Sequence, residues 1–253
     1  MTVHNFPAVT YFPEIDSTNT EARRRWAARD VSLPHWFLAD RQTRGTGRRG
    51  RVWDSPAGNF SGSILFQPVT RASEWQKFAF VAALALYDAL LAVVGDGEAV
   101  SLKWPNDVLL NGRKVAGILL ETIGRPAPEA LIAGIGVNLA QAPAAALLDQ
   151  TALPPTSLAE TFGTAPGLQE FFPHLRDAFD TRHAQLADTG WCVLRDAWLA
   201  QCKAIGKTAS VTRTGRGGFT GTIAGLDDDG ALLIRTSGGI QRVLAGDVRV
   251  REV

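Results

Sequence analysis

The feature that most limits the fold of this chain is a change of texture after Lys203. Beyond it, TASVTRT, FTGTIAGL, ALLIRT, IQRVLA and DVRVREV have period-two character, with RGG, DDDG and SGG between the first four and a Gly-Asp step before the last. Such segments, cut by glycine turns, read as strands. Five of them in about 50 residues predict a small closed barrel. The boundary falls near residue 204, giving an upstream domain over 1–203 and a C-terminal one over 204–253. With about 150 residues per domain as a guide, 253 residues suit one large domain plus a small one.

The upstream part mixes helical and strand periods. STNTEARRRWAARD reads as a helix, and Thr18 with Glu21 three residues on matches a capping box. WFLAD and FSGSILFQPV are strand candidates. EWQKFAFVAALALYDALLAVV reads as a long buried helix stopped by Gly95. AVSLKW, KVAGILLET and ALIAGIGVNLA return to strands. The Ala- and Pro-rich stretch AQAPAAALLDQTALPPTS reads as a loop with one helical turn. LQEFFPHLRDAFDTRHAQLAD and WCVLRDAWLAQC are helical, with Gly190 between them.

Composition excludes several function classes. A formal net charge of +1 argues against general electrostatic binding to DNA or to anionic membranes, so any positive patch is local. Hydrophobic content of 45% against 20% charged predicts a sizeable core. Cys192 and Cys202 match neither a disulfide framework nor a metal-ligand spacing, and are expected to be reduced, helical and half-buried. MTVHNFPAVTYFPEID shows no secretory signal. The apolar run FAFVAALALYDALLAVV, interrupted by Tyr87 and Asp88, is expected to fall short of a membrane span. A cytoplasmic protein is expected. His4, His35, His174 and His183 lie in no recognisable nucleophile setting and read as structural or surface residues.

RQTRGTGRRGR holds Gly45, Gly47 and Gly50 at the spacing G-x-G-x-x-G. A dinucleotide fingerprint needs a strand before it and a helix directly after. The strand is there, but RVWDSPAGNFSG follows, with Pro56, Gly58 and Gly62 against a helix. Arg44, Arg48, Arg49 and Arg51 can pair with phosphate or carboxylate, so the loop suits charge stabilisation at a transferring phosphoryl group. A solvated basic loop is the competing reading. In KWPNDVLLNGRKVAGILLE, Lys103, Asn106 and Asp107 surround a helix-blocking proline, and Lys114 heads an apolar run. Cation, amide and carboxylate together can hold a nucleotide, its magnesium and a substrate carboxylate; Mg2+ needs only one or two protein carboxylates beside phosphates and water, and Asp107 is a candidate.

Four motifs occur in one order: DSTN (Asp16 to Asn19), Q-T-x-G-x-G-R-R-G-R-x-W (Gln42 to Trp53), K-W-P-N-D with G-R-K-x-A-G (Lys103 to Gly117), and G-I-G-V-N-L (Gly134 to Leu139). With its tail, the chain resembles a biotin protein ligase nearly throughout. The resemblance implies an α+β catalytic domain related to class II aminoacyl-tRNA synthetases, followed by an SH3-like barrel. It implies that biotin and MgATP form biotinyl-5'-AMP and pyrophosphate, and that biotin then passes to one lysine of a biotin carboxyl carrier protein. ATP and Mg2+ are the implied cofactors. Family members include monomers and dimers, so a homodimer stays open.

By motif match, Ser17, Thr18, Asn19, Gln42, Thr46, Gly47, Arg48, Lys114 and Gly117 would meet biotin. Arg48 would bridge the biotin carboxylate and the α-phosphate, with Lys114 on the same carboxylate; these two are the catalytic candidates. Arg48, Arg51, Trp53, Lys103, Asn106, Asp107 and Asn138 would serve ATP, with Asp107 on magnesium. Trp53 reads equally well as a core residue. The loop 45–51 is expected to order on binding. It departs from the family pattern: Arg44 stands where a small residue is common, and Thr46 where a basic one is. Thr46 cannot supply charge, though its backbone can touch ligand. Some family members carry an N-terminal DNA-binding domain that represses biotin synthesis. DSTN begins at residue 16, so no such activity is expected. The alternatives are a lipoate–protein ligase and, outside enzymes, a nucleic-acid or partner-binding module. The barrel offers only Phe219 for base stacking.

Overall fold

The computed structural model describes residues 7–68, 70–124, 126–144, 153–213, 216–244 and 246–250. His4, the segment 145–152 within the Ala- and Pro-rich stretch, and the last three residues lie outside them.

Seven strands form the upstream sheet: β1 (Ala8–Ile15), β2 (His35–Gln42), β3 (Phe60–Phe66), β4 (Val100–Lys103), β5 (Asp107–Leu110), β6 (Arg113–Ile123) and β7 (Ala130–Val137). Their order is β1-β2-β3-β7-β6-β5-β4, antiparallel throughout except for the parallel pair β1–β2. On one face pack α2 (Phe78–Val94) and the long α4 (Leu168–Ala200), which meet Trp36, Leu38, Phe60, Ile64 and Phe66 in the main core. Rings of Phe60, Phe66, Phe171, Phe172 and Phe179 interlock there, mostly edge to face. On the other face α1 (Thr18–Ala27) covers a smaller cluster of Ala22, Phe37, Leu65, Ala130 and Ile132. A short α3 (Leu158–Phe162) precedes α4.

As expected, α2 ends at Gly95, whose φ of 70° lets its N–H close on the Leu91 carbonyl at 2.9 Å. Gly190 (φ 79°, ψ 178°) breaks the helical path within α4. Four expectations are corrected. The N-cap of α1 is Ser17 rather than Thr18, so Glu21 closes no capping box and instead pairs with Arg24 and Arg25. The helical stretch Ala72–Val94 is long and apolar enough by composition to cross a membrane, yet it is two-thirds buried as a core helix. Cys192 is exposed, while Cys202 is buried just beyond the end of α4. β1 and β5 also join the sheet where the sequence marked no strands.

The tail forms β8 (Thr208–Arg213), β9 (Arg216–Leu226), β10 (Leu232–Thr236), β11 (Gly239–Val243) and β12 (Asp247–Val250), an antiparallel SH3-like sheet in the order β11-β10-β9-β8-β12. It is seated on the upstream domain by tryptophans. The Trp104 indole N–H donates to the Gly230 carbonyl (3.1 Å) and that of Trp191 to the Asp227 carbonyl (3.3 Å). Phe80 of α2 packs on Trp191 and beneath Gly230. Phe219 is half-buried against the core.

Candidate functional site

The site lies on the α1 face of the large sheet, where register lines up positions with little or no side chain. Ala39 of β2 pairs with Ser61 of β3, Ser61 with Gly136 of β7, Gly136 with Gly117 of β6, and Gly117 with Asp107 of β5. Paired residues share a face, so this row is a trough running across the strands, roughly 19 Å long at about 4.8 Å per strand. The next row holds Phe37, Ser63, Gly134 and Leu119. The glycines are there for space: a Cβ at Gly134 would lie 2.2 Å from Asn19 Oδ1, and one at Gly136 2.4 Å from the Trp53 indole. Trp53 therefore rests directly on the floor of the trough.

At the β2–β3 end a polar cluster is assembled. Gln42 Oε1 accepts from the Thr18 backbone N–H (2.9 Å) and from Thr18 Oγ1 (3.2 Å), while Gln42 Nε2 donates to Ser55 Oγ (3.0 Å). Ser63 Oγ lies 2.6 Å from Thr18 Oγ1 and 2.5 Å from Asn19 Oδ1, with one proton for both. Asn19 Nδ2 donates to Glu121 Oε2 (2.6 Å), and Glu121 also holds Arg23 at 2.7 Å. Two hydroxyl protons thus serve four oxygens, those of Thr18, Ser63, Gln42 and Asn19, leaving the cluster rich in acceptors. Ser17 caps α1, and the adjacent Asp16 carboxyl is held below the usual carboxylate range by the Arg24 guanidinium.

At the β5–β6 end the charges gather. Lys114 Nζ meets Asp107 Oδ1 at 2.6 Å, and Lys103 Nζ lies 3.8 Å from Oδ2. A register shift between Val108 and Leu109 puts Lys114 and Gly117 on one side, although residues three apart on a regular strand face opposite ways. The Lys114 ammonium accordingly stands 3.4 Å from where a Gly117 Cβ would be, and 5.6 Å from the centre of a Trp53 ring. The Lys114 backbone is pinned on both sides, to the Pro154 carbonyl (2.8 Å) and the Thr156 N–H (2.9 Å). Arg48 donates to Asn106 Oδ1 (3.0 Å); Asn106 Nδ2 in turn donates to the Ile118 carbonyl (2.7 Å), which fixes the amide's orientation.

The glycine-arginine loop is a narrow hairpin. Gly47 N–H donates to the Arg51 carbonyl (2.7 Å) and Trp53 N–H to the Gly45 carbonyl (2.9 Å). Arg48–Gly50 make one 3-10 turn, with Arg49 and Gly50 at φ 59° and 73°. Gly45 is required by close approach, since a Cβ would sit 2.4 Å from the Trp53 carbonyl; at Gly47 the nearest atom would be 3.6 Å away. Thr46 turns its hydroxyl back on the Arg44 carbonyl (3.2 Å), and Arg44 and Arg51 are exposed.

Of the residues expected from sequence, Thr18, Asn19 and Gln42 come together at one end and Arg48, Lys103, Asn106, Asp107 and Lys114 at the other, with Trp53 and Gly117 between. Asn138 stands apart. It is 2% exposed, its amide N–H donates to the Thr156 carbonyl (3.0 Å), and it braces the segment that pins Lys114. Its Oδ1 has no partner among the described residues. Sequence reasoning missed Ser55, Ser63 and Glu121, which arrive by cross-strand register. The available signal was Ser61-Gly62-Ser63 inside a strand buried at every position. The three described histidines are structural or at the surface: His35 bonds Thr10 (2.8 Å), His174 is exposed, and His183 sits among Phe66, Phe78 and Phe179.

A model described as the biotin/lipoate A/B protein ligase family matches residues 11–138, and one described as the biotin protein ligase C-terminal domain matches 204–251. A biotin–[acetyl-CoA-carboxylase] ligase of Paracoccus denitrificans is 45% identical over 234 residues, 92% of this chain and 96% of its own. The bifunctional ligase/repressor BirA of Bacillus subtilis is 31% identical over 215 residues, 84% of this chain and 65% of its own. Among solved structures, a biotin protein ligase from Aquifex aeolicus in complex with biotin and ATP aligns with a TM-score of 0.81 at 28% identity, over 98% of this chain and 100% of that one.

Proposed function

The chain belongs to the biotin/lipoate A/B protein ligase family, and from that premise we infer that it is an ATP-dependent biotin–protein ligase acting on the carrier protein of acetyl-CoA carboxylase or a related carboxylase. A biotin carboxylate oxygen attacks the α-phosphorus of ATP; the new P–O bond forms as the bond to the β-bridging oxygen breaks, and pyrophosphate leaves. The ε-amine of a carrier lysine then attacks the acyl carbon of biotinyl-5'-AMP, gives up a proton, and AMP departs.

The observation that carries this reading is the two-ended trough. An acceptor-rich cluster at one end suits the N–H groups of a ureido ring, and the cations at the other suit a carboxylate meeting a phosphate. Thr18 Oγ1 supplies an acceptor to the ring, and Gln42, whose oxygen takes the Thr18 N–H and hydroxyl, holds Thr18 in place beside it. Asn19 is already committed to Ser63 and Glu121, so it shapes the cluster more than it recognises ligand. Ser17 acts by holding the start of α1. Thr46 and Gly47 offer backbone groups only. Arg48, aimed by Asn106, and Lys114, aimed by the strand irregularity, offset the repulsion between two anions. Lys103 and Arg51 serve the phosphates, and Trp53, seated on the floor at Gly136, packs against the ligand from that side. Gly117 leaves room on the floor for Trp53 and Lys114, and Asn138 acts through Thr156.

Asp107 fits a magnesium site, since one carboxylate suffices where phosphates supply the other oxygens. Mg2+ would supply charge neutralisation on those phosphates. Biotin's carboxylate, on taking Lys114, frees an Asp107 oxygen for this role. We place the domain boundary at 203/204. The test is ATP–pyrophosphate exchange by the whole protein with biotin, lipoate or neither. Exchange that requires biotin supports the reading; exchange with lipoate alone reassigns the substrate, for which the trough offers no match to the acceptor cluster.

A further inference from the structure

We propose that Ser61 is a further specificity residue of this trough, its hydroxyl donating a hydrogen bond to the ureido carbonyl of bound biotin. The inference rests on the biotin reading above. Ser61 is 1% exposed, and its Oγ has no hydrogen-bond partner among the described residues. A buried hydroxyl without a partner costs stability and calls for an explanation. Alanine would fill this strand position without that cost.

Its direction is fixed by its neighbours. Ser61 pairs with Gly136, and the missing Gly136 Cβ would point into the Trp53 indole. Ser61 therefore faces the trough. Along β3 it is two residues from Ser63, which is committed to Thr18 and Asn19. Across the sheet it is three strand steps from Asp107, roughly 14 Å, which places it at the head-group end. The two hydroxyl protons of the Thr18–Ser63 cluster are already claimed by oxygens there, so that cluster receives N–H groups. The Ser61 proton is uncommitted, and the complementary acceptor on a ureido ring is its carbonyl oxygen. One end of the trough thereby reads both polarities of the ring.

The test compares wild type with Ser61→Ala in biotin-dependent ATP–pyrophosphate exchange, with dethiobiotin as second substrate and thermal unfolding of both proteins as the folding control. Expected is a rise of about three- to tenfold in KM for biotin, the loss typical of one hydrogen bond, with KM for ATP unmoved. Dethiobiotin, which keeps the ureido group and lacks the ring sulfur, should show the same penalty. The variant without ligand should melt no lower than wild type, because the removed hydroxyl had no partner. An unchanged KM for biotin, a penalty absent with dethiobiotin, or a clear fall in Tm overturns the assignment. Wild type that shows no biotin-dependent exchange refutes the ligase reading itself, a result distinct from any of these.

Discussion

Lys114→Ala should abolish most adenylation while leaving the fold intact. Two unit charges 4 Å apart repel by about 4 kcal/mol at an effective dielectric constant near 20, and a carboxylate oxygen attacking the α-phosphate meets a penalty of that order. Lys114 is the cation placed to offset it: its ammonium stands over Gly117 on the trough floor and 2.6 Å from Asp107. Losing about 3–4 kcal/mol of that offset corresponds to a roughly 10²- to 10³-fold fall in kcat/KM for biotin. Lys103→Ala should cost less on the biotin side, because Lys103 lies at 3.8 Å on the far oxygen of Asp107. Lys114→Met, which keeps the stem that packs near Trp53, should match Lys114→Ala. The assay is biotin-dependent exchange across a biotin titration, with circular dichroism as the folding control. If Lys114→Ala retains a tenth of wild-type kcat/KM, or if the methionine variant is near normal, the charge argument fails.

Three further outcomes follow from other parts of the structure. Gly136→Ala would place its Cβ 2.4 Å from the Trp53 indole, so the indole must lift; a tenfold or greater rise in KM for biotin is expected, checked by exchange kinetics. Burial among Phe66, Phe78 and Phe179 pushes the His183 pKa below its ordinary value. The unfolded chain then binds the proton more readily, so stability is complete above about pH 6.5 and falls as pH drops from there through the lower folded pKa. His35 is also shifted down by burial, so in a Tm series from pH 8 to 5 His183→Leu should shallow this slope without removing it; an unchanged slope would refute the role given to His183. Trp104→Phe keeps the ring but strands the Gly230 carbonyl that its indole satisfies; a cost of about 1–3 kcal/mol is expected, read as a Tm drop of roughly 2–4 °C per kcal/mol at this chain length.

The residues legible in the sequence were those whose chemistry is contiguous. DSTN, the glycine-arginine loop and K-W-P-N-D each carry their meaning in a few adjacent letters, and each landed at one end of the trough. What stayed hidden arises from register. Ser63 and Glu121 come from β3 and β6, and nothing local says that Ser61 faces Gly136. Lys114 and Gly117 share a side only because of the irregularity opposite Val108 and Leu109. β1 was masked by Pro13, which an edge strand tolerates because its outer N–H needs no partner. β5 was masked by the turn that introduces it. Thr18 resembled a cap because a hydroxyl before a helix usually is one; here it turns inward to Gln42 while Ser17 takes the end of the helix.

Trp104 is the residue immediately ahead of the turn that carries Asn106 and Asp107, and its indole is tied to the tail at Gly230. Anyone seeking a minimal version of this protein by cutting at Lys203 would strip the far wall from that turn. Asn106, which aims Arg48, and Asp107, which pairs with Lys114, would then hang from an indole with its N–H unpaired and its ring bared to solvent. The small tail is thus no detachable accessory: Val211, Ile223, Leu232 and Ile234 belong to the same hydrophobic core as α2 and α4, so a truncation chosen for convenience would unsettle that turn and the core together.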